Sequence, residues 1–353
     1  MHPIRILIVD DSAFIRYALT KRLDEEPDLT IIGTAHDGID ALEKVAQLQP
    51  DVVTLDIEMP RLNGLDTLRQ IMAQHPRPVI MLSTLTQDGA RETFRALALG
   101  AVDFVPKPTT TIHIQQVLDT LKTKIRGVAH VPAGRLRLLR QAPAPTGAAL
   151  SSAASSRPLG AKDVVLVIGA STGGPQALQR VVSGLPADLP AALAIVQHMP
   201  PQFTATLAER LNAHSAFAIR ESDGTETLRV GQGLLAPGGH HLVLHRGGGV
   251  ALSSAPPRNH VRPAVDVTFE SAAEAYGRAT VAVILTGMGS DGTAGAHRIK
   301  AAGGLVLAEA EETCVVYGMP RSAADAGVVD ALVPLDDMAE AAARMVHKAR
   351  ELL

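Results

Sequence analysis

The feature that most constrains this chain is an alternation that occurs twice: short runs of aliphatic, largely β-branched residues separated by longer stretches with helical spacing. In residues 1–126 the short runs are "IRILIVD", "LTIIGTA", "DVVTLDI", "PVIMLST" and "DFVPKP". Between and after them come "SAFIRYALTKRLDEE", "GIDALEKVAQL", "LDTLRQIMAQ", "RETFRALALG" and "IHIQQVLDTLKTKI". Strands that are each followed by a helix are joined by crossovers, which favours a parallel sheet with helices on both faces. Ligands of such sheets bind outside the carboxyl ends of the strands. The alternation resumes after Lys162 with "VVLVIGAS", "PQALQRVVSGL", "ALAIVQH", "QFTATLAERLN", "AVDVTFESAAEAYG", "TVAVILTG", "GTAGAHRIKAAG" and "GLVLAEA", and "MAEAAARMVHKAREL" reads as a closing helix. The fold class expected is α/β, with two doubly wound parallel-sheet domains. Gly-rich turns in "GQGLLAPGGHHLVLHRGGGVALSSA" predict antiparallel hairpins attached to the second sheet.

Residues 127–160 are rich in Ala, Pro, Ser and Gly and present no apolar face, so they read as a linker between domains at 1–126 and 161–353. Within the linker, "RLRLLR" reads as a solvated basic turn, with a short helix docked on a neighbour as the alternative. Charge excludes some functions. With 33 Lys and Arg against 36 Asp and Glu, nothing in the balance draws the chain to nucleic acid or an anionic membrane. Aromatics at 3% and the lack of tryptophan argue against a base-stacking surface, and no basic recognition helix suggests a DNA-binding output. The single cysteine, Cys314, cannot form an internal disulfide, and the first residues carry no secretory h-region. The expected compartment is the cytoplasm, with membranes reached only through a partner.

Three carboxylates fall at strand ends in the first domain: Asp10 and Asp11 close "ILIVDD", and Asp56 closes "VVTLD". If the first and third strands are adjacent, the three converge, and a hard dication such as Mg²⁺ relieves their repulsion. Ser83 and Lys107 lie at two further strand ends, where a hydroxyl and an ammonium could hold the oxygens of a phosphoryl group on Asp56. The competing role for each Asp is that of a helix cap.

In the second domain "VIGASTGGP" admits two readings: a loop that binds an anion through bare N–H groups, or a turn that presents Ser171 as a nucleophile. Two later strand ends decide between them. "LAIVQHMPP" delivers His198 and "VAVILTGMGSDG" delivers Asp291, so a hydroxyl, an imidazole and a carboxylate share one rim. An anion loop needs neither partner, and no Lys follows the glycines as in a P-loop. The order Ser, His, Asp differs from that of α/β-hydrolases, which implies another topology reaching a similar geometry. His240, His241 and His260 could shape a substrate cleft, with His241 in a strand-like run that could face solvent. A metal site with His245 lacks a further ligand of fixed spacing.

Residues 4–125, with "VDDS", "LDIEMP…NG", Ser83, Phe104 and "KP", resemble a response-regulator receiver domain. The resemblance implies a flavodoxin-like fold with Asp56 as phospho-acceptor from a sensor histidine kinase. It implies Mg²⁺ arranged by Asp10, Asp11, Asp56 and the backbone carbonyl of Glu58, with Ser83, Phe104 and Lys107 sensing the phosphoryl group. Phe104 stands where the family often has tyrosine. From residue 164 to about 335, "IGASTGGP", "QHMP", "APGGHH", "AVDVTFESAA" and "ILTGMGSDG" resemble the catalytic domain of the bacterial chemotaxis protein-glutamate methylesterases. This second resemblance implies hydrolysis of glutamate γ-methyl esters on chemoreceptors and deamidation of receptor glutamines. Ser171, His198 and Asp291 would be nucleophile, base and orienting acid, and Thr172 and Met288 would supply the oxyanion N–H groups. It implies no cofactor for the hydrolysis. The expectation for the two domains together is that phosphorylation of Asp56 releases the esterase. The alternative is a non-enzymatic regulator whose second domain binds an anionic ligand.

Overall fold

The computed structural model describes residues 2–107, 114–132, 134–136 and 156–353. It divides into two compact units, residues 1–142 and 143–353. The first holds β1 (Ile4–Val9), α1 (Ala13–Leu23), β2 (Leu29–Ala35), α2 (Gly38–Leu48), β3 (Val52–Asp56), α3 (Gly64–Gln74), β4 (Val79–Ser83), α4 (Gln87–Leu99), β5 (Asp103–Pro106) and α5 (Ile114–Val128). Its strands are all parallel in the order β2-β1-β3-β4-β5, the flavodoxin-like arrangement. β3 and β4 are wholly buried because helices cover both faces, which is why their sequences, apart from Thr54 and the terminal Asp56 and Ser83, are apolar instead of alternating. Ser12, Asp37, Asn63 and Thr86 cap the helices that follow β1 to β4 with their side chains. Asp10, Asp11 and Asp56 are therefore not the capping residues.

The second unit is built on a seven-stranded, all-parallel sheet in the order β16-β15-β14-β7-β8-β11-β9. Its strands are β7 (Val164–Ala170), β8 (Ala191–Gln197), β9 (Ala218–Glu221), β11 (Gln232–Leu235), β14 (Thr280–Ile284), β15 (Leu305–Glu309) and β16 (Ala331–Val333). The helices are α6 (Gly174–Ser183), α7 (Phe203–Ala213), α8 (Val265–Tyr276), α9 (Thr293–Ala301), α10 (Met319–Asp325) and α11 (Met338–Glu351). Every residue of β7, β8 and β14 is buried. From β7 the chain builds first toward β8 and later, through β14, on the opposite side. The carboxyl ends of β7 and β14 thus flank a topological switch point, where open α/β sheets form their ligand crevice.

The hairpin expectation needs correction. "QGLL" is β11, a parallel strand between β8 and β9, because its leucines are buried as in the neighbouring strands. β12 (His241–Leu244) and β13 (Val250–Ser253) do pair as an antiparallel hairpin, and they form their own two-stranded sheet. A second small pair joins β6 (Arg157–Pro158) to β10 (Arg229–Val230). Of "RLRLLR", residues 135 and 136 have helical backbone, and the remainder lies outside the described residues. No helix among the described residues is long and apolar enough to cross a membrane.

Candidate active site and acidic pocket

The parallel register assembles the second unit's site. Ala170 pairs with Gln197 across β7 and β8, and the His198 N–H donates to Ala170 O at 3.1 Å, so Ser171 and His198 leave adjacent strands side by side. On the other flank of β7, the Ser171 N–H donates to Thr286 O at 3.0 Å, tying the serine turn to the loop after β14. Gly287 in that loop lies against the serine: a Cβ there would stand 2.7 Å from Ser171 Cβ. The same loop carries half-buried Met288 and buried Asp291. Glu309, fully buried at the end of β15, accepts the Thr286 N–H at 2.8 Å and holds the loop in place.

His198 Nε2 and Asp291 Oδ2 are 2.7 Å apart. Nε2–H donates to the carboxylate, which leaves Nδ1 as the ring's basic atom. Among the described residues no hydrogen bond joins the Ser171 hydroxyl to this ring. Such contacts are often long before substrate binds and tighten in the reacting complex. Asp291 Oδ2 also accepts the Val265 N–H at 2.6 Å, and Oδ1 accepts from Asp266 N–H at 3.0 Å and from the Asn259 amide at 2.9 Å. Its anion thus sits on the N-terminus of α8, where N–H groups and the helix dipole favour negative charge. Burial pushes the Asp291 carboxyl up, but the hydrogen bond and charge of His198 and the two backbone donors outweigh it and hold the group at about 2. Asp291 is not a side-chain cap for α9, whose N-cap is Gly292.

The "GASTGGP" turn is packed by protein. Gly173 takes φ 79° with Val315 filling the space of a Cβ, and Gly174 is crowded by Gln197 and Ala170. The N–H groups of Ser171 and Gly174 are already bonded, to Thr286 O and Ser171 O. The left-handed residue is Gly173, not the serine, so this turn differs from the strained elbow of α/β-hydrolases. Thr172 is buried, and its carbonyl accepts the Thr286 hydroxyl at 3.0 Å.

Gln197, Asn259, Asp266 and Glu309 were not singled out from sequence. The Gln197 carboxamide donates to Ser171 O at 2.8 Å and His198 O at 3.2 Å, clamping the two backbones together. A polar residue closing an otherwise apolar buried strand was the available signal, and Glu309 carries the same one. Asp266 is buried, and burial together with the charge of Asp291 raises its carboxyl. His241 does not face solvent. It is 1% exposed, with Nδ1 accepting the Ala264 N–H at 3.1 Å and Nε2 facing Pro256 O at 3.2 Å. Strand alternation alone does not reveal that α8 covers this side of β12. His240, His245 and His260 are exposed and form no metal cluster with it among the described residues.

In the first unit, ligand oxygens of Asp10, Asp11 and Asp56 lie within 4.8 Å of one another. Lys107 Nζ stands 3.0 Å from Asp10 Oδ2 and 2.7 Å from Asp56 Oδ2. Burial pushes the Asp56 carboxyl up to about 6, with the Asp10 charge in the same direction, against the hydrogen bond and charge of Lys107. Burial also pulls Lys107 down, but its two carboxylate partners outweigh this and raise it. Buried oxygens crowded on one ammonium fit a hard dication. Glu58 is exposed, and its N–H donates to Asp56 Oδ1 at 3.3 Å. The Ser83 hydroxyl turns to α4 instead of the carboxylates, donating to Gly89 O at 3.1 Å and accepting from Thr93 at 2.7 Å. Phe104 is buried under the Lys124 ammonium, 5.3 Å from its ring centroid.

A receiver-type acidic pocket on one sheet, and a hydroxyl, imidazole and carboxylate around the switch point of another, define a response regulator whose output domain is a serine hydrolase. The family model described as CheB methylesterase matches residues 166–342, and the response regulator receiver domain matches residues 6–119. A protein-glutamate methylesterase/protein-glutamine glutaminase of Symbiobacterium thermophilum is 49% identical over 98% of this chain and 97% of its own length. Its counterpart in Geobacillus kaustophilus is 47% identical over 98% and 99%. The crystal structure of the Thermotoga maritima CheB methylesterase catalytic domain, 44% identical, covers 54% of this chain and 99% of that one with a TM-score of 0.50. The chain belongs to the family of protein-glutamate methylesterases/protein-glutamine glutaminases.

Proposed function

We propose that Ser171 hydrolyses glutamate γ-methyl esters on methyl-accepting chemotaxis receptors, and γ-amides of receptor glutamines, under control of phosphorylation at Asp56 by a sensor histidine kinase. The observation that carries the assignment of residues is the 2.7 Å His198–Asp291 pair one strand from Ser171. His198 Nδ1 takes the serine proton as Oγ attacks the γ-carbonyl carbon, and Asp291 stabilises the imidazolium. The N–H groups of Met288 and Thr172 hold the oxyanion, an element whose loss commonly costs about 10²–10³ in rate. Collapse of the tetrahedral adduct breaks the C–O bond of an ester or the C–N bond of an amide, and the imidazolium gives its proton to the departing oxygen or nitrogen, which leaves as methanol or ammonia. Water then attacks the γ-glutamyl-serine ester with His198 again as base, releasing the glutamate carboxylate and restoring Ser171.

In the receiver, residues 1–126, Asp10, Asp11, Asp56 and the Glu58 carbonyl would hold Mg²⁺, which when bound neutralises charge on the incoming phosphoryl oxygens. Asp56 is the nucleophile for phosphoryl transfer, Lys107 its cationic partner, and Ser83 and Phe104 the sensing positions. Residues 127–160 link this domain to the esterase at 161–353. The protein acts in the cytoplasm and meets the membrane through its receptors. Methanol release from a methylated receptor, by wild type and Ser171→Ala, with and without a small acyl phosphate, tests the proposal. Equal release by the two proteins overturns it.

A further inference from the structure

The geometry points to Asn259 as a positioning residue of the hydrolysis, acting on the triad through Asp291 without touching substrate; this rests on the esterase reading above. Asn259 lies in "PRNHV", a stretch that contributes no member of the triad. Arg258 and Val261 exchange both backbone hydrogen bonds, at 3.1 and 3.0 Å, and the two residues between them are left-handed, Asn259 at φ 53° and His260 at φ 65°. This is a two-residue hairpin turn with positive φ at both central positions, a conformation that asparagine tolerates better than other non-glycine residues. Two successive non-glycine residues in that region are uncommon, and such strain concentrates where structure serves a site.

The turn delivers one atom to two carboxylates. Asn259 Nδ2 is 2.9 Å from Asp291 Oδ1 and 2.9 Å from Asp266 Oδ2. A primary amide has two N–H bonds, so one can go to each acid; a hydroxyl has only one hydrogen and a carboxylate none. The remaining Asp266 oxygen accepts from Gly292 N–H at 2.9 Å and Gly295 N–H at 2.8 Å. Arg258, bidentate to Glu270 at 2.5 and 2.7 Å, stands 3.9 Å from Asp266 with its Nε. Two buried acids side by side repel. The amide bridge lets both remain acceptors and fixes the plane of Asp291, which in turn sets the direction of the His198 ring.

Asn259→Gly provides the test in the full-length, phosphodonor-activated protein, since glycine keeps the left-handed turn while deleting the amide. Expected are a fall in kcat of about tenfold to a hundredfold, KM for methylated receptor within about threefold of wild type, and an acid limb of the kcat/KM profile moved to higher pH. The sign follows because an Asp291 carboxylate with one donor fewer attracts a proton on His198 more strongly. The His198 Nε2–H resonance, followed by NMR in histidine-labelled protein, should move downfield as its hydrogen bond to Asp291 strengthens. Asn259→Asp, which keeps the turn but places a third carboxyl between two, should lose more activity than glycine. A glycine variant with wild-type kcat and an unmoved His198 Nε2–H resonance overturns the proposal and leaves Asn259 as a turn former. The NMR comparison needs no turnover, so it judges Asn259 even if Ser171→Ala shows the esterase reading itself to be wrong.

Discussion

Gly174 is the first residue of α6, and on helix propensity alone alanine there should stabilise by up to about 1 kcal/mol. Packing reverses the sign. A Cβ at 174 would stand 2.8 Å from Ala170 Cβ and 2.9 Å from Gln197 Cδ, and closer still to Gln197 Oε1. Ala170 is fixed in a buried central strand, so the Gln197 carboxamide must swing away and release Ser171 O and His198 O. Two neutral hydrogen bonds contribute about 1 kcal/mol each, and a buried polar group left unpaired costs about 1–3 kcal/mol more. Net of propensity, Gly174→Ala should destabilise the esterase domain by about 2–4 kcal/mol, lowering its Tm by roughly 5–15 °C. Because the same movement unties the nucleophile's backbone from the base's, methanol release should fall about tenfold or more. Calorimetry and the release assay on the full chain measure both. Removing the obstructing side chain in Gly174→Ala/Gln197→Ala should cost less than the sum of the two single changes, by at least about 1 kcal/mol of coupling. A Gly174→Ala protein that melts and turns over like wild type, or strict additivity in the double variant, refutes the clamp.

Asp291→Asn should reduce kcat by about 10³–10⁴, since it removes the anion that stabilises the imidazolium, and should lower thermal stability at neutral pH, because one of two oxygens that each accept a backbone N–H becomes an NH₂; single-turnover methanol release and calorimetry check the two effects. The Asp56 carboxyl, pushed to about 6, keeps a proton that the unfolded chain has already lost between pH 4 and 6. The stability of wild type relative to Asp56→Asn, measured in EDTA, should therefore fall as pH rises across that window, by up to about 3 kcal/mol. A difference between the two proteins that does not change with pH would contradict the reading. Adding Mg²⁺ should shift the Asp56 carboxyl titration, read by ¹³C NMR, to lower pH because the dication favours the ionised form. A protein lacking residues 1–126 should hydrolyse methylated receptor without a phosphodonor at a rate above that of the unphosphorylated full chain; an equal or lower rate from a folded fragment counts against restraint by the receiver.

Both parallel sheets and most of the polar side chains gathered in the two candidate sites are legible in the sequence, because period and strand ends are local properties. A strand buried on both faces is largely apolar, so a polar residue at or just past its carboxyl end stands out, as Asp10, Asp56, Ser171 and His198 do. "QGLL" escapes assignment because two leucines after a glycine suit a hairpin as well as a parallel strand. His241 was placed by alternation on the wrong face, since its partner, the Ala264 N–H, is 23 positions distant.

Which groups could react was thus set by residue type and spacing along the chain, and which groups orient them was set only by folding. Strand order put β8, β7 and β14 side by side, and the loops beyond them brought Asn259, Asp266 and Asp291 together from segments as far as 32 residues apart. Hydrogen bonds between such distant residues leave no periodic trace, because their length and direction depend on how the sheet twists and the helices pack. The amide between two acids and the carboxamide across two backbones therefore emerge from the tertiary structure alone.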